Sequence, residues 1–284
     1  MELPEEFLEI LDGEFVDRER LAVVSSYGIP EAIREDVYRI LLGINVQTDQ
    51  QDQEYALEAR KGKNSDVIKR IRGEVNRFYS SRSSIFKDDV VRIMENIVSA
   101  YFYAHSEKEY SASAVYITGP LVYLFKKEAQ VYQAFDKIMA IKDEYFTAKT
   151  MSERISDFMM LFKLFIPDLF KHFEEEEVDI KEFLKSWFSS LLAKELPLDC
   201  VLRLWDVYLT HSLGLELHVY SCLAILLYFK ETFEDFDDSD IRSAILKLPP
   251  LDMDHIISEA RRLRIEVAGL DDQLKIESSV RSLF

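Results

Sequence analysis

Glycine and proline are scarce in this chain, with 8 and 7 among 284 residues. So few turn-formers argue against a fold of many short strands and favour long helices. Positive charge is short as well: 35 Lys and Arg stand against 52 Asp and Glu, a formal net charge of -17. Such a chain is a poor general binder of nucleic acid, because that affinity rests on Lys and Arg displacing counterions. Charge alone would not hold it on an anionic membrane either. The two cysteines, Cys200 and Cys222, form neither a disulfide framework nor a metal spacing, and their apolar surroundings read as reduced core thiols. None of the five histidines (His105, His172, His211, His218, His255) stands four residues from another, so no zinc site can be drawn. The longest apolar stretch, around Tyr220 to Phe229, is too short to cross a bilayer. The acidic start, Met1 to Phe7, has no basic and apolar leader. A Gly-rich phosphate loop, a Walker lysine and a Gly-x-Ser-x-Gly elbow are all missing. The expectation is an intracellular, soluble, cytoplasmic protein with no cofactor, no metal, no nucleic acid partner and no membrane insertion.

What the chain does have is helical periodicity. Hydrophobic residues make up 48% and charged residues 31%, an ordinary globular balance for one large domain or two small ones. Residues 5–24 space Phe7, Leu8, Leu11, Phe15, Leu21 and Val24 roughly as a helix does. Pro30 opens a helix whose stripe is Ile33, Val37, Ile40 and Leu41, and Gly43 ends it. Residues 46–66 are polar and read as a loop flanking a short exposed helix. Asp88 or Asp89 caps a helix striped by Val90, Ile93, Met94, Ile97, Tyr101 and Phe102. Pro120 either opens a helix or kinks one already begun. Further helical periods cover 128–146, 151–173, 180–193, 198–210, 215–230 and 254–268, while Glu174–Glu177 and Glu234–Asp240 read as solvated acidic connectors. His218 reads as a packed histidine, and Trp187 and Trp205 as core anchors. No segment alternates with period two, so the predicted class is all-α, in one or two helical lobes.

Two segments stand out for chemistry. Ile71-Arg72-Gly73-Glu74-Val75-Asn76-Arg77 has the form Ile-x-x-acid-x-x-Arg, and about 35 residues later comes Tyr110-Ser111-Ala112-Ser113-Ala114-Val115-Tyr116-Ile117-Thr118-Gly119-Pro120-Leu121. They resemble the two catalytic strips of the TBC (Rab-GAP-like) GTPase-activating family. Other segments follow that family's order. Gly28 to Gly43 resembles its opening helix, with Tyr38 in place of a Trp. Phe165 to Phe173, Trp187-Phe188, Leu196 to Asp199 and Arg203-Leu204-Trp205-Asp206 resemble its later motifs. The resemblance covers roughly residues 20–265, leaving 1–19 as an N-terminal extension, 20–268 as the domain and 269–284 as a tail. Pro120 to Phe135 and Leu248 to Ile257 are most similar to the budding-uninhibited-by-benzimidazole branch, which implies mitotic-exit and spindle-checkpoint control and a place at the spindle pole.

The resemblance implies a two-lobed helical domain that activates a partner's GTP hydrolysis and is not a self-contained enzyme. The implied partners are a small GTPase in its GTP-bound form and a scaffold protein. Arg77 would be the arginine finger, with Glu74 and Asn76 aiming it, and Arg34 and Tyr110 supporting. Ala112 stands where the family has a glutamine, and a methyl group neither donates nor accepts a hydrogen bond. Ser111 and Ser113 are short, and Gln130 and Gln133 lie in the next helix without motif support. Two readings stay open: a one-finger activator that uses the GTPase's own glutamine, or a scaffold that binds without accelerating hydrolysis.

Overall fold

The structure is a computed structural model. It describes the backbone of residues 4–44, 49–62, 67–86, 89–210 and 214–281, and the side chains of these except at 49–53, 60, 62 and 271–281. Asp88, His211 and parts of the polar stretch (46–48, 63–66) lie outside the described residues. All regular structure among the described residues is helical. The all-α class expected from the scarcity of glycine and proline is what the chain adopts.

The first eight helices are α1 (Glu5–Leu11), α2 (Arg18–Ser25), α3 (Glu31–Leu41), α4 (Asp49–Gly62), α5 (Ile68–Arg82), α6 (Val90–Ala104), α7 (Ser113–Leu124) and α8 (Glu128–Ala148). Then come α9 (Met151–Phe165), α10 (Pro167–Glu175), α11 (Ile180–Ser190), α12 (Leu198–Tyr208), α13 (Leu217–Tyr228), α14 (Lys230–Glu234), α15 (Asp238–Leu246) and α16 (Met253–Arg281). Two of them, α7 and α13, are apolar on nearly every side. Ser113 to Leu121 are all buried, as are His218, Val219 and Ser221 to Leu226. A helix without a polar face belongs inside a protein. Accordingly α7 packs against α5, α6 and α8 on one side and α11 and α12 on the other, while α13 is packed by α9, α11 and α16.

Several boundaries differ from the expected ones, each for a local reason. Residues 5–24 form two helices, because the chain leaves the helix at Asp12-Gly13 and re-enters where Asp17 accepts from the Arg20 amide. Residues 151–173 break at Ile166, since Pro167 has no amide to continue the ladder and instead begins α10. Pro120 does not open α7 but sits inside it. The polar segment 49–62 is one helix, and it is not simply exposed: Tyr55 and Ala59 are buried against its neighbours. The acidic connector at 234–240 partly folds, with Asp237 capping α15 through the Asp240 amide. The helix expected at 254–268 continues to Arg281. That of 180–193 stops at Ser190, because Leu191 (φ 51°) and Leu192 (φ 62°) turn left-handed. Such backbone is uncommon for leucine. It is held here by burial of both side chains and by the Trp205 indole, which donates to the Leu191 carbonyl at 3.2 Å.

The chain's two halves are tied by a buried charge. Asp206 on α12 accepts from Arg34 Nε (3.0 Å) and Nη2 (3.1 Å), from the Ile29 amide (3.0 Å) and from the Tyr38 hydroxyl (3.0 Å). Four donors on one fully buried carboxylate answer the cost of removing it from water. The Tyr38 hydroxyl lies 3.0 Å from both Asp206 and the Leu202 carbonyl, which gives the aromatic at that position a polar role that a Trp could serve only through its indole N–H.

Candidate functional site

The face of α5 that packs inward carries Ile71, Val75 and Phe78, a helical stripe at i, i+4 and i+7. Glu74 shares that face and is buried. Arg77 lies on the adjoining, open face, and its side chain remains 71% exposed. One turn of helix brings the two together, and the Arg77 guanidinium donates to Glu74 Oε2. The other Glu74 oxygen, Oε1, accepts from the Tyr116 hydroxyl of α7 at 2.6 Å. Burial, and then the neighbouring Glu74 carboxylate, push the Tyr116 phenol well up, so it stays protonated and donates. Tyr116, Glu74 and Arg77 therefore form a chain of contacts running from the core outward to a guanidinium in solvent.

The spacing of α5 and α7 is set by Gly119. A Cβ built there would lie 2.4 Å from Phe78 Cζ, closer than any side chain tolerates, so the Phe78 ring seats directly on the α7 backbone. Phe78 also meets Tyr116 edge-on at 5.9 Å. These contacts fix α7 against α5 next to Arg77.

At the start of α7, Ala112 is the N-cap residue and is exposed, offering only a methyl group. Tyr110, two residues earlier, lies under the Arg70 guanidinium at 4.9 Å and belongs to the same electrostatic neighbourhood as Glu74 and Arg77. Burial and Glu74 push its phenol up to about 12, against the pull of Arg70 and Arg77. The strip on both sides of Ala112 is thus braced on the helix that carries Arg77. Ser111 and Ser113 do not offer themselves in place of a glutamine. Their hydroxyls pair with each other at 2.8 Å, and Ser113 is buried above the Lys142 ammonium, 3.4 Å away. Gln130 is buried on α8, and Gln133 lines a separate cleft with Tyr55, His105 and Tyr132.

Other expected members of the site are placed as follows. Asn76 is exposed beside Arg77 and makes no hydrogen bond to it. Arg34 gives its hydrogen bonds to Asp206, not to Glu74 or Arg77, so its place is in the clasp between the halves. The sequence pattern missed Tyr116, although it lies inside the strip that carries Ala112; its meaning depends on a partner 42 positions away. Arg82 was missed as well. Its guanidinium stacks on Phe78 at 4.8 Å and donates to the carbonyls of Ala193 (3.4 Å) and Lys194 (2.8 Å).

Chemically, the site presents an exposed arginine whose Nη2 is engaged by Glu74 and whose remaining guanidinium N–H groups are open to the anionic oxygens of a partner. The carboxylate beside it, Glu74, is already engaged by Arg77 and Tyr116, and the side chain at position 112 is a methyl group.

Residues 31–233 match the Rab-GTPase-TBC domain. The chain is 24% identical over 319 aligned positions to human TBC1 domain family member 22A, covering 95% of this chain and 62% of that protein. It is 22% identical to the GTPase-activating protein gyp1 of Schizosaccharomyces pombe, covering 95% of this chain and 62% of the relative. The chain thus spans a little under two thirds of the length of these relatives. Among solved structures, the Ypt/Rab-GAP domain of Gyp1p superposes with a TM-score of 0.74 at 18% identity, covering 90% of this chain and 95% of that one. A Chlamydomonas flagellar RabGAP TBC domain gives 0.72 at 17% identity, covering 89% and 88%. At these identities the superpositions speak for the fold.

Proposed function

The chain belongs to the Rab-GTPase-TBC domain family, and from that premise we propose that it accelerates GTP hydrolysis by a Rab-like small GTPase, with Arg77 inserted in trans. The observation that carries this reading is the state of Arg77: its guanidinium is open to solvent yet anchored through Glu74 to Tyr116. Phosphoryl transfer from GTP spreads negative charge over the γ-phosphoryl oxygens, and an arginine placed against them lowers the barrier. The anchor limits the orientations the side chain must lose when it is inserted. Because position 112 is alanine, the water-orienting group in this reading is the GTPase's own glutamine, which leaves this chain a one-finger activator.

The test is single-turnover GTP hydrolysis by a panel of purified GTP-loaded Rab-type GTPases, with wild type and Arg77→Ala. An arginine finger contributes on the order of 10³ to 10⁵ in rate, or about 4 to 7 kcal/mol of barrier. Arg77→Ala is expected to lose at least about a hundredfold of the acceleration while still binding. An accelerated rate that survives the substitution refutes the role. The methyl group of Ala112 favours a second reading, a scaffold that binds the GTPase without speeding hydrolysis. Binding without acceleration by wild type would establish it.

The finer assignment, to mitotic exit and spindle-position control with a scaffold partner, rests on the segments 120–135 and 248–257. Including the Ras-like GTPase of mitotic exit in the same panel tests it. Acceleration confined to membrane-trafficking Rabs would overturn it.

A further inference from the structure

A cleft of about 390 Å³ opens directly beside Arg77, between the end of α5 and the loop that follows α11. Its charge is opposite to that of the molecule. Arg77, Arg82, Lys194 and Lys247 line it, on a chain whose net charge is -17. Among the described residues, Arg82, Lys194 and Lys247 make no salt bridge. Lys194 instead sits over the Tyr116 ring at 5.5 Å. The one carboxylate in the wall, Glu195, is turned inward, where Ser186 (2.6 Å) and Ser190 (2.9 Å) donate to it. The left-handed residues Leu191 and Leu192 come just before the carbonyls that hold Arg82, so a buried turn fixes Arg82 and leads into Lys194, while Arg77 and Lys247 add exposed cations from α5 and the end of α15. At the margins, Ile85 and Leu246 remain 47% and 53% exposed, two large apolar side chains facing the same opening.

We propose that this cleft docks an acidic segment of the GTPase that presents its nucleotide to Arg77, with an apolar side chain of that segment resting on Ile85 and Leu246. The inference rests on the activator reading, and it names the part of the partner that the site selects. Continuity fixes the occupant: Arg77 is itself one wall of the cleft, so a protein offering phosphate to Arg77 lies across it. Complementarity fixes the chemistry. The bulk charge of -17 repels an acidic partner at long range, and the local cations attract it only in the docked register. GTPases lacking carboxylates at that place are rejected.

The experiment compares wild type with the double variant Lys194→Glu, Lys247→Glu. A charge-matched control carries Lys137→Glu and Lys181→Glu, exposed positions away from the cleft. Binding to the GTPase panel, loaded with GDP and aluminium fluoride, is measured between low and physiological salt, and single-turnover hydrolysis is followed alongside. The cleft variant is expected to bind at least tenfold more weakly than the control at low salt, the gap narrowing as salt rises. Affinity equal to the control overturns the docking assignment and leaves the activator reading standing. Weakened binding with an Arg77→Ala rate equal to wild type keeps the docking assignment and removes the finger. No binding to any GTPase in the panel overturns both.

Discussion

Replacing Lys142 with methionine should stabilise this protein, and the gain should disappear at high pH. Lys142 lies on α8 with its ammonium buried under the first turn of α7, where its one hydrogen bond, to Ser113 Oγ, is long at 3.4 Å. Burial is the main cause that pulls its pKa from 10.5 down to about 8; Lys108 pulls the same way and Asp143 opposes. At about 1.4 kcal/mol per tenfold change in proton affinity, keeping that charge below pH 8 costs about 3 kcal/mol. The sign follows from proton binding. Between pH 8 and 10.5 the unfolded chain still holds the proton and the folded chain has released it, so wild-type stability rises with pH across that window. Lys142→Met removes both the penalty and the slope and keeps most of the side-chain volume. Subtracting about 1 kcal/mol for the hydrogen bond to Ser113 leaves a net gain of about 2 kcal/mol at neutral pH. Urea unfolding of both proteins at pH 7 and pH 10 measures it. The difference should be largest at pH 7 and shrink toward pH 10. A variant less stable at every pH, or a difference independent of pH, would refute the argument.

Three further outcomes are expected. Gly119→Ala places a methyl 2.4 Å from Phe78 Cζ and should destabilise by about 1–3 kcal/mol in denaturant melts, with hydrolysis falling as Arg77 loses its backing. Ala112→Gln, at an exposed N-cap position, should fold normally and raise GTP hydrolysis in a complex that wild type already accelerates; unchanged hydrolysis with binding intact would show that α7 no longer aims a side chain at the nucleotide. Burial holds the His218 imidazole neutral until about 3, between the Tyr208 hydroxyl at 2.7 Å and the Trp187 carbonyl at 3.2 Å. An NMR titration should therefore find no protonation of that ring at the ordinary 6.5, and stability should fall as pH drops from 6.5 toward 3, because only the unfolded chain takes up the proton.

Helix content was readable because helices leave local marks. The apolar stripes of α3 and α6 and the proline at the start of α10 are properties of neighbouring residues. The break inside 151–173 was legible in Pro167 but masked by apolar periodicity that runs on through it. The packing of α4 was not legible, because its few buried residues, Tyr55 and Ala59, sit in a mostly polar segment whose value depends on α6 and α8. The same division holds at the site. Arg77 and Ala112 could be singled out by motif. The Tyr116–Glu74 contact joins positions 42 apart, and the Arg34–Asp206 pair joins positions 172 apart. No local pattern encodes either. The cationic cleft was hidden for a related reason: Arg82, Lys194 and Lys247 are scattered along an acidic sequence and meet only in the fold.

The Asp206 clasp bears on how the protein is made. Ile29, Arg34 and Tyr38 leave the ribosome well before the carboxylate they require, which follows Arg34 by 172 residues. At roughly 5–20 residues per second, that is a wait of about 10–35 s, during which the first helices carry an uncompensated arginine and no α12 to lie against. The segment from Ile29 to Tyr38 therefore cannot take up its final contacts until α12 has been made. It stays open to chaperones, proteases and its own copies until Asp206 and the rest of α12 have appeared.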